Sequence, residues 1–537
     1  MPILTKRASL PDNEPTIAQS GPTSNARGWL PGLLASAVVA VAAFILYART
    51  LAPDVLVGDS GEFQFTGAIL GIPHPTGYPL YTLLGWVWSL LPFGNVAYRI
   101  NLSSAFYMAL ASGMVTLLAW RLTSPPAPLP NTVILSAAKN LWVAAASLLA
   151  GLLFAVSGTV WAQAVVARSY ALNAALVAAC LLALLVWWQT GRRAAFLAVP
   201  LLVGLSLAHH GTTILLLPGY ALLTLAAEWH WSRTEAWRAR LRRWALGAAM
   251  FALGLSPYLL LAYRFVFGYT YYWGNPRTWG DVLFLARGGP FAGQIFSYPL
   301  TLSSQLERLG FGLDQLARQF GMVGVVFGLA GLLRLLVDRR TWVIGCALAL
   351  LLLANFVFAV NYGIVGQIYL IPTYLFWALF IAAAATWPFT LADRAARPSF
   401  RRVATGAALS ALVAAVVVVP AALVADRFSA EDRSGDTQIG TMARQTLAQA
   451  ETGAHIYVDW ESLCVFRYYR FVEYRRLDLT LYSENPGDWD AKIAEDLAAG
   501  RAAYVGGFAG PDPPAPVRAH YILARVGLVY KVLGRLP

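Results

Sequence analysis

The sequence predicts an all-α polytopic membrane protein of about 11 transmembrane helices, followed by a small C-terminal extracytoplasmic α/β domain. Three observations predict it. Of 537 residues, 58% are hydrophobic and 12% charged, against about 25% charged in an average soluble domain. The mean hydropathy is +0.57. Apolar runs near or above the roughly 18 residues needed to cross a bilayer core recur along most of the chain.

The runs place spans at 29–49, 100–120, 141–160, 169–190, 195–209, 212–228, 245–266, 320–337, 342–360, 368–391 and 403–425. The first follows a long polar leader, 1–28, and is a full span rather than the short apolar core of a secretory signal. The domains are then a cytoplasmic polar N-terminus (1–28), a transmembrane domain (29–425) and an extracytoplasmic α/β domain (426–537). Residues 121–131 form a proline-rich cytoplasmic loop.

Orientation follows from loop charge. Residues 78–92 are apolar but short, lie between Pro79 and Pro92, and carry Trp86 and Trp88. Such a segment suits an interfacial helix that does not cross. On that assignment sixteen Lys and Arg fall on one side, in loops 121–140, 191–194, 229–244, 334–341 and 392–402. Six fall on the other, in 50–99, 160–168, 210–211, 267–319 and 361–367. The basic side is cytoplasmic by the positive-inside rule. Residues 50–99 become a long first external loop and 267–319 a large one. The net charge of +13 therefore reports topology, and no nucleic-acid partner is expected.

The tail alternates strand and helix: 455–460, 477–483 and 502–507 read as strands, 461–476 and 489–500 as helices. Asp459 and Glu461 read as a strand end running into a helix cap, with a functional role as the alternative. Cys180 and Cys346 lie in apolar spans and Cys464 stands alone in the tail. The tail has no pair of cysteines for a disulfide framework.

Chemistry concentrates in 51–81, LAPDVLVGDSGEFQFTGAILGIPHPTGYPLY. This external stretch gathers Asp54, Asp59, Glu62 and His74. Asp59 and Glu62, three apart, share a helix face. Two readings fit them. Asp59 as N-cap and Glu62 as N3 make a capping box. Carboxylates at a membrane surface can also deprotonate an acceptor hydroxyl or hold a divalent cation, leaving metal use open. His209 and His210, at the external end of a span, suit phosphate binding or proton transfer, or a hydrogen-bonded helix end. Arg168 and Arg264, near external span ends, suit a lipid phosphate or snorkelling to the interface. YTYYWGNPRTWGD (269–281), with Arg277, suits a sugar or phosphate platform or an aromatic belt. There is no Walker loop, Cys/His zinc spacing or nucleophile elbow.

Gly58-Asp59-Ser60-Gly61-Glu62-Phe63, followed by Leu70-Gly71-Ile72-Pro73-His74-Pro75-Thr76-Gly77-Tyr78-Pro79-Leu80-Tyr81, resembles the signature of the protein O-mannosyltransferase-like membrane proteins. These are the transmembrane protein 260-like group of the GT-C glycosyltransferase superfamily. Arg99-Ile100-Asn101-Leu102, Tyr170-Ala171-Leu172-Asn173, His209-His210 and Trp273-Gly274-Asn275-Pro276 follow in the expected order, so the likeness covers about 30–380. It implies a GT-C-like fold and an inverting transfer of a sugar, mannose among the candidates. The donor is linked to a polyprenyl phosphate. The acceptor is a hydroxyl on a protein or glycan at the extracytoplasmic face of the cell membrane. The resemblance makes Asp59 the general base with Glu62 as its partner. The substrate-binding set is His74, Tyr78, Arg168, Tyr170, His209, His210, Arg264, Trp273, Asn275 and Arg277. No cofactor is implied with certainty. Two positions depart from the family pattern, where relatives carry acidic residues: Arg168, and the run 363–367 before Tyr369. A lipid-linked-sugar flippase and a non-catalytic scaffold are the rival readings.

Overall fold

The computed structural model describes residues 22–124, 133–364, 366–387, 398–483, 489–506 and 515–537. Most of the polar leader and most of the proline-rich loop lie outside the described residues.

Eight helices among the described residues are long and apolar enough to cross a membrane. They are Trp29–Arg49, Val96–Thr123, Ser169–Thr190, Gly211–Ser232, Trp237–Phe267, Leu302–Val337, Trp342–Asn361 and Gly406–Glu431. Asn140–Ala155 and Gly158–Ala164, bent by 64°, make a ninth if the pair is one span. Arg193–Leu207 and Ile371–Ala385 occupy the two remaining expected positions but have 15 residues each. At 1.5 Å per residue each is about 22 Å long, short of a core of about 30 Å. By length and composition eight or nine spans qualify among the described residues, and these two shorter apolar helices stand at the other two expected positions.

The 78–92 segment contains the helix Pro79–Ser89, 11 residues long and so about 16 Å. It is too short to span. It buries Tyr81 and Gly85 while Trp86 and Val87 stay exposed, the two-faced pattern of a helix lying on the bundle at an interface. The expected external loop 267–319 is largely helical. It holds Trp279–Ala286 and the first half of Leu302–Val337, which breaks at Gly321, where φ is 69°. An L-residue rarely adopts that φ, so the amphipathic stretch before Gly321 and the apolar one after it are separate helices in function.

The C-terminal unit is a five-stranded sheet, order β2-β1-β3-β5-β4, with β1 His455–Val458, β2 Thr480–Tyr482, β3 Ala503–Gly506, β4 Tyr521–Val526 and β5 Val529–Arg535. β1 pairs in parallel with both β2 and β3, through helices Trp460–Val472 and Trp489–Ala498. Parallel neighbours require such crossovers. β4 and β5 add an antiparallel hairpin. Val458, Cys464, Val465 and Tyr469 share one apolar cluster with Val55, Phe65 and Tyr271. The tail is therefore fused to the loop that carries Asp59.

Candidate functional site

Residues 58–81 fold as the helix Gly58–Ile69, a compact turn, and the helix Pro79–Ser89. The capping-box reading is corrected. Val57 is the N-cap of the first helix and no side chain caps it. Asp59 and Glu62 sit inside that helix, free to act elsewhere.

They act in different surroundings. Glu62 is fully buried. Its Oε2 accepts from the His74 backbone N–H at 3.1 Å and lies 2.5 Å from His74 Nδ1; its Oε1 accepts from the Tyr271 hydroxyl at 2.8 Å. Burial works against a charged His74, but the Glu62 carboxylate outweighs it and raises the imidazole above its usual value. Burial first, then Glu62, also raises Tyr271 well above an ordinary phenol. Glu62 is thus the centre of a saturated cluster tying the first helix to the following turn and to the 269–281 segment.

Asp59 is partly exposed. Its Oδ2 accepts from the Arg168 guanidinium, with side chains 34% and 26% exposed. The Arg168 backbone N–H donates to Ser104 Oγ at 3.2 Å, so the pair rests on a buried helix wall. Asp59 is the carboxylate that an incoming hydroxyl can reach.

The other expected residues divide. Tyr78 contacts His74, His209 and His210 edge-on, and Tyr170 contacts His210 and Tyr369. These line one continuous wall. His209 and His210 are buried, and their pKa values fall to about 4 and about 3, chiefly through desolvation. These shifts favour uncharged imidazoles at neutral pH, in keeping with the hydrogen-bonded helix end that was one of the readings from sequence. His209 Nε2 lies 2.8 Å from the Ser169 carbonyl and His210 Nδ1 lies 2.7 Å from Thr212 Oγ1, which leaves them as neutral wall residues. Arg264 donates to the carbonyls of Leu70 and Ile69 at 2.8 and 2.7 Å. These bonds tie it to the C-terminal end of the Asp59 helix. Trp273 donates its backbone N–H to Ile72 and packs in the cluster shared with the tail. Asn275 and Arg277 are exposed; the Arg277 backbone N–H serves Asp281 in the Thr278 capping box. No contact joins either of them to Asp59 among the described residues.

The tail adds groups the sequence did not place here. The helix Trp460–Val472 packs on the Asp59 helix, closely at Gly61: a Cβ there would lie 2.2 Å from the Leu56 carbonyl oxygen and 3.2 Å from Cys464 Cβ. Trp460 meets His74 edge-on, and Arg467 reaches the Tyr271 hydroxyl at 3.3 Å. Glu461 is raised above an ordinary carboxylate by desolvation and by Asp459 and Asp59. Asp459 N-caps this helix through Ser462. Among the described residues no group of three or more His, Cys, Asp or Glu is placed to hold a metal ion.

Residues 59–234 match the model of the family described as the protein O-mannosyl-transferase TMEM260 N-terminal domain. The chain is similar to protein O-mannosyl-transferase tmem260 of Dictyostelium discoideum, 28% identical over 315 residues, covering 54% of this chain and 35% of that protein. It is 30% identical to TMEM260 of Mus musculus over 272 residues, covering 48% of this chain and 34% of that protein. The chain thus spans about a third of the length of these relatives. Among solved structures it is similar to ArnT from Cupriavidus metallidurans bound to undecaprenyl phosphate, with a TM-score of 0.58 and 13% identity, covering 92% of this chain and 97% of that one. The apo state of that protein gives 0.50 and 15%, covering 95% and 98%. The fold is GT-C-like, and the resemblance read from residues 58–81 is borne out as a similarity: this multi-pass membrane protein is similar to the TMEM260 N-terminal domain over the matched stretch 59–234.

Proposed function

We propose that the protein is an inverting glycosyltransferase that moves a sugar from a polyprenyl-phosphate-linked donor to an acceptor hydroxyl of a protein or glycan. The observation that carries this is the difference between the two motif carboxylates: Glu62 is saturated and buried, whereas Asp59 is partly exposed and is held at one oxygen by Arg168. The similarity to the TMEM260 protein O-mannosyl-transferases and the ArnT-like fold support the reaction class. The acceptor oxygen attacks the anomeric carbon as its bond to the lipid phosphate oxygen breaks. That oxygen leaves with the bonding electrons, and Asp59 takes the acceptor proton. Arg168 fixes the orientation of the carboxylate, a positioning role. Mannose is the first sugar to test. The loop charges support an extracytoplasmic site in the cell membrane with the C-terminal unit on the same side.

The test is incubation of purified full-length protein with labelled polyprenyl-phosphate mannose, other polyprenyl-phosphate sugars and candidate acceptors, with and without chelator. Label transfer to an acceptor, with inversion at the anomeric carbon, is expected. Absence of transfer across the donor panel, with donor moved between leaflets of vesicles instead, would favour a flippase.

A further inference from the structure

The proposed reaction needs a cation for the lipid phosphate, and the basic residues expected for it from sequence are engaged elsewhere. Arg168 is on Asp59, Arg264 is on two carbonyls, and the two histidines are uncharged. A different arginine stands over a cavity of about 160 Å³, lined by Tyr298, Arg308, Phe311, Tyr362, Gly363 and Gln367. That volume far exceeds the roughly 15 Å³ that admits one water. Arg308 lies with its Cζ 4.2 Å from the centroid of the Tyr298 ring and 5.7 Å from that of Phe311. Its Nε is buried and has no hydrogen-bond partner among the described residues. No ion pair among the described residues includes it, in contrast to Arg318 on the same helix, which pairs with Asp314 at 2.6 Å. A guanidinium with unused donors at a polar cavity is suited to a bidentate oxyanion.

The surroundings name the carrier of that oxyanion. Leu302, Leu306, Leu309 and Leu313 are exposed at 77%, 57%, 44% and 42%. Their spacing makes one apolar stripe along the helix that holds Arg308. Leu353 and Val357 are exposed on the helix Trp342–Asn361, which ends at the same cavity. An apolar stripe beside a polar cavity at the end of a span is what a lipid headgroup meets at the interface. Ring contacts lead from the cavity toward the Asp59 site: the Tyr362 ring centroid is 4.7 Å from that of Tyr369, and the Tyr369 centroid is 5.5 Å from that of Tyr170.

We infer that Arg308 and this cavity bind the phosphate of a membrane lipid and, resting on the proposed function, the phosphate of the lipid-linked donor. The test measures binding rather than transfer, so it stands or falls independently of the catalytic reading. Purified full-length protein, Arg308→Gln and Arg308→Lys are titrated with a short-chain polyprenyl phosphate, with phosphatidylglycerol and with inorganic phosphate. Charged hydrogen bonds to a phosphate predict that Arg308→Gln weakens polyprenyl phosphate binding roughly ten- to a hundredfold, with the Lys variant between. Equal weakening for phosphatidylglycerol supports the lipid-phosphate site and overturns its assignment to the donor. Equally tight binding of inorganic phosphate overturns the lipid reading in favour of a free-anion site. Unchanged polyprenyl phosphate binding in a folded Arg308→Gln or Arg308→Lys protein overturns the site.

Discussion

Asp59 and Arg168, 109 residues apart in sequence, form an ion pair at the mouth of the site, with neither side chain fully buried. Such an exposed pair contributes little to stability, about 0–1 kcal/mol. Its value in the account is positional. Arg168→Gln is therefore expected to leave the melting temperature within a few degrees of wild type while lowering kcat by about tenfold or more, with donor KM little changed. Steady-state kinetics on labelled donor separate the two parameters. A change confined to KM would move Arg168 from positioning the base to binding substrate.

Glu62→Gln should be the more damaging change for folding. From sequence, glutamine looks tolerable at a capping position. In the structure Glu62 accepts from His74 and Tyr271 with both oxygens. The glutamine amide would turn a donor toward a donor, and a buried unsatisfied group costs about 1–3 kcal/mol. Thermal unfolding in detergent should show a clear loss, larger than that for Asp59→Asn. Equal melting temperatures for the two variants would contradict the saturated cluster.

His74 gives the pH dependence a sign. Its folded-state pKa is raised above the usual 6.5, so the native protein holds the proton more tightly than the unfolded chain. The contribution is fully present below about pH 6.5 and is lost as pH rises through the raised value. Stability measured from mildly acid to mildly alkaline pH should fall more steeply in wild type than in His74→Gln. Parallel profiles would remove the His74–Glu62 pair as a titrating contact.

Gly61 tests the docking of the tail. A valine there would place atoms against the Leu56 carbonyl and Cys464, and overpacking costs typically about 1–3 kcal/mol. Gly61→Val should loosen the helix Trp460–Val472 and make the C-terminal unit more sensitive to limited proteolysis. Unchanged proteolysis would mean that the contact does not hold the unit in place.

Much of this was legible in the sequence for physical reasons. Apolar runs located the helices, because a bilayer core demands their length. The short, tryptophan-bearing 78–92 segment carried its own length limit. The run of Asp59, Glu62 and His74 stood out against an apolar background. Long-range partners were not legible. Nothing in the spacing of Arg264 signals two carbonyls at the end of a helix nearly two hundred residues earlier. The burial of His209 and His210, which disfavours their charged forms, was not legible either. The hairpin β4–β5 was missed because its strands are partly exposed and interleave Arg and Lys with the apolar residues. Arg308 was counted only as a loop charge, since a cavity has no sequence pattern.

The most direct test of the central claim is sugar transfer by Asp59→Asn, measured with a donor that wild type uses. Asparagine keeps the shape and a hydrogen-bonding oxygen for Arg168 but cannot accept the proton. A positioned general base contributes about 100- to 10,000-fold in rate. The account predicts a loss of that size with expression and melting temperature near wild type. Turnover within a few fold of wild type would contradict Asp59 as the base.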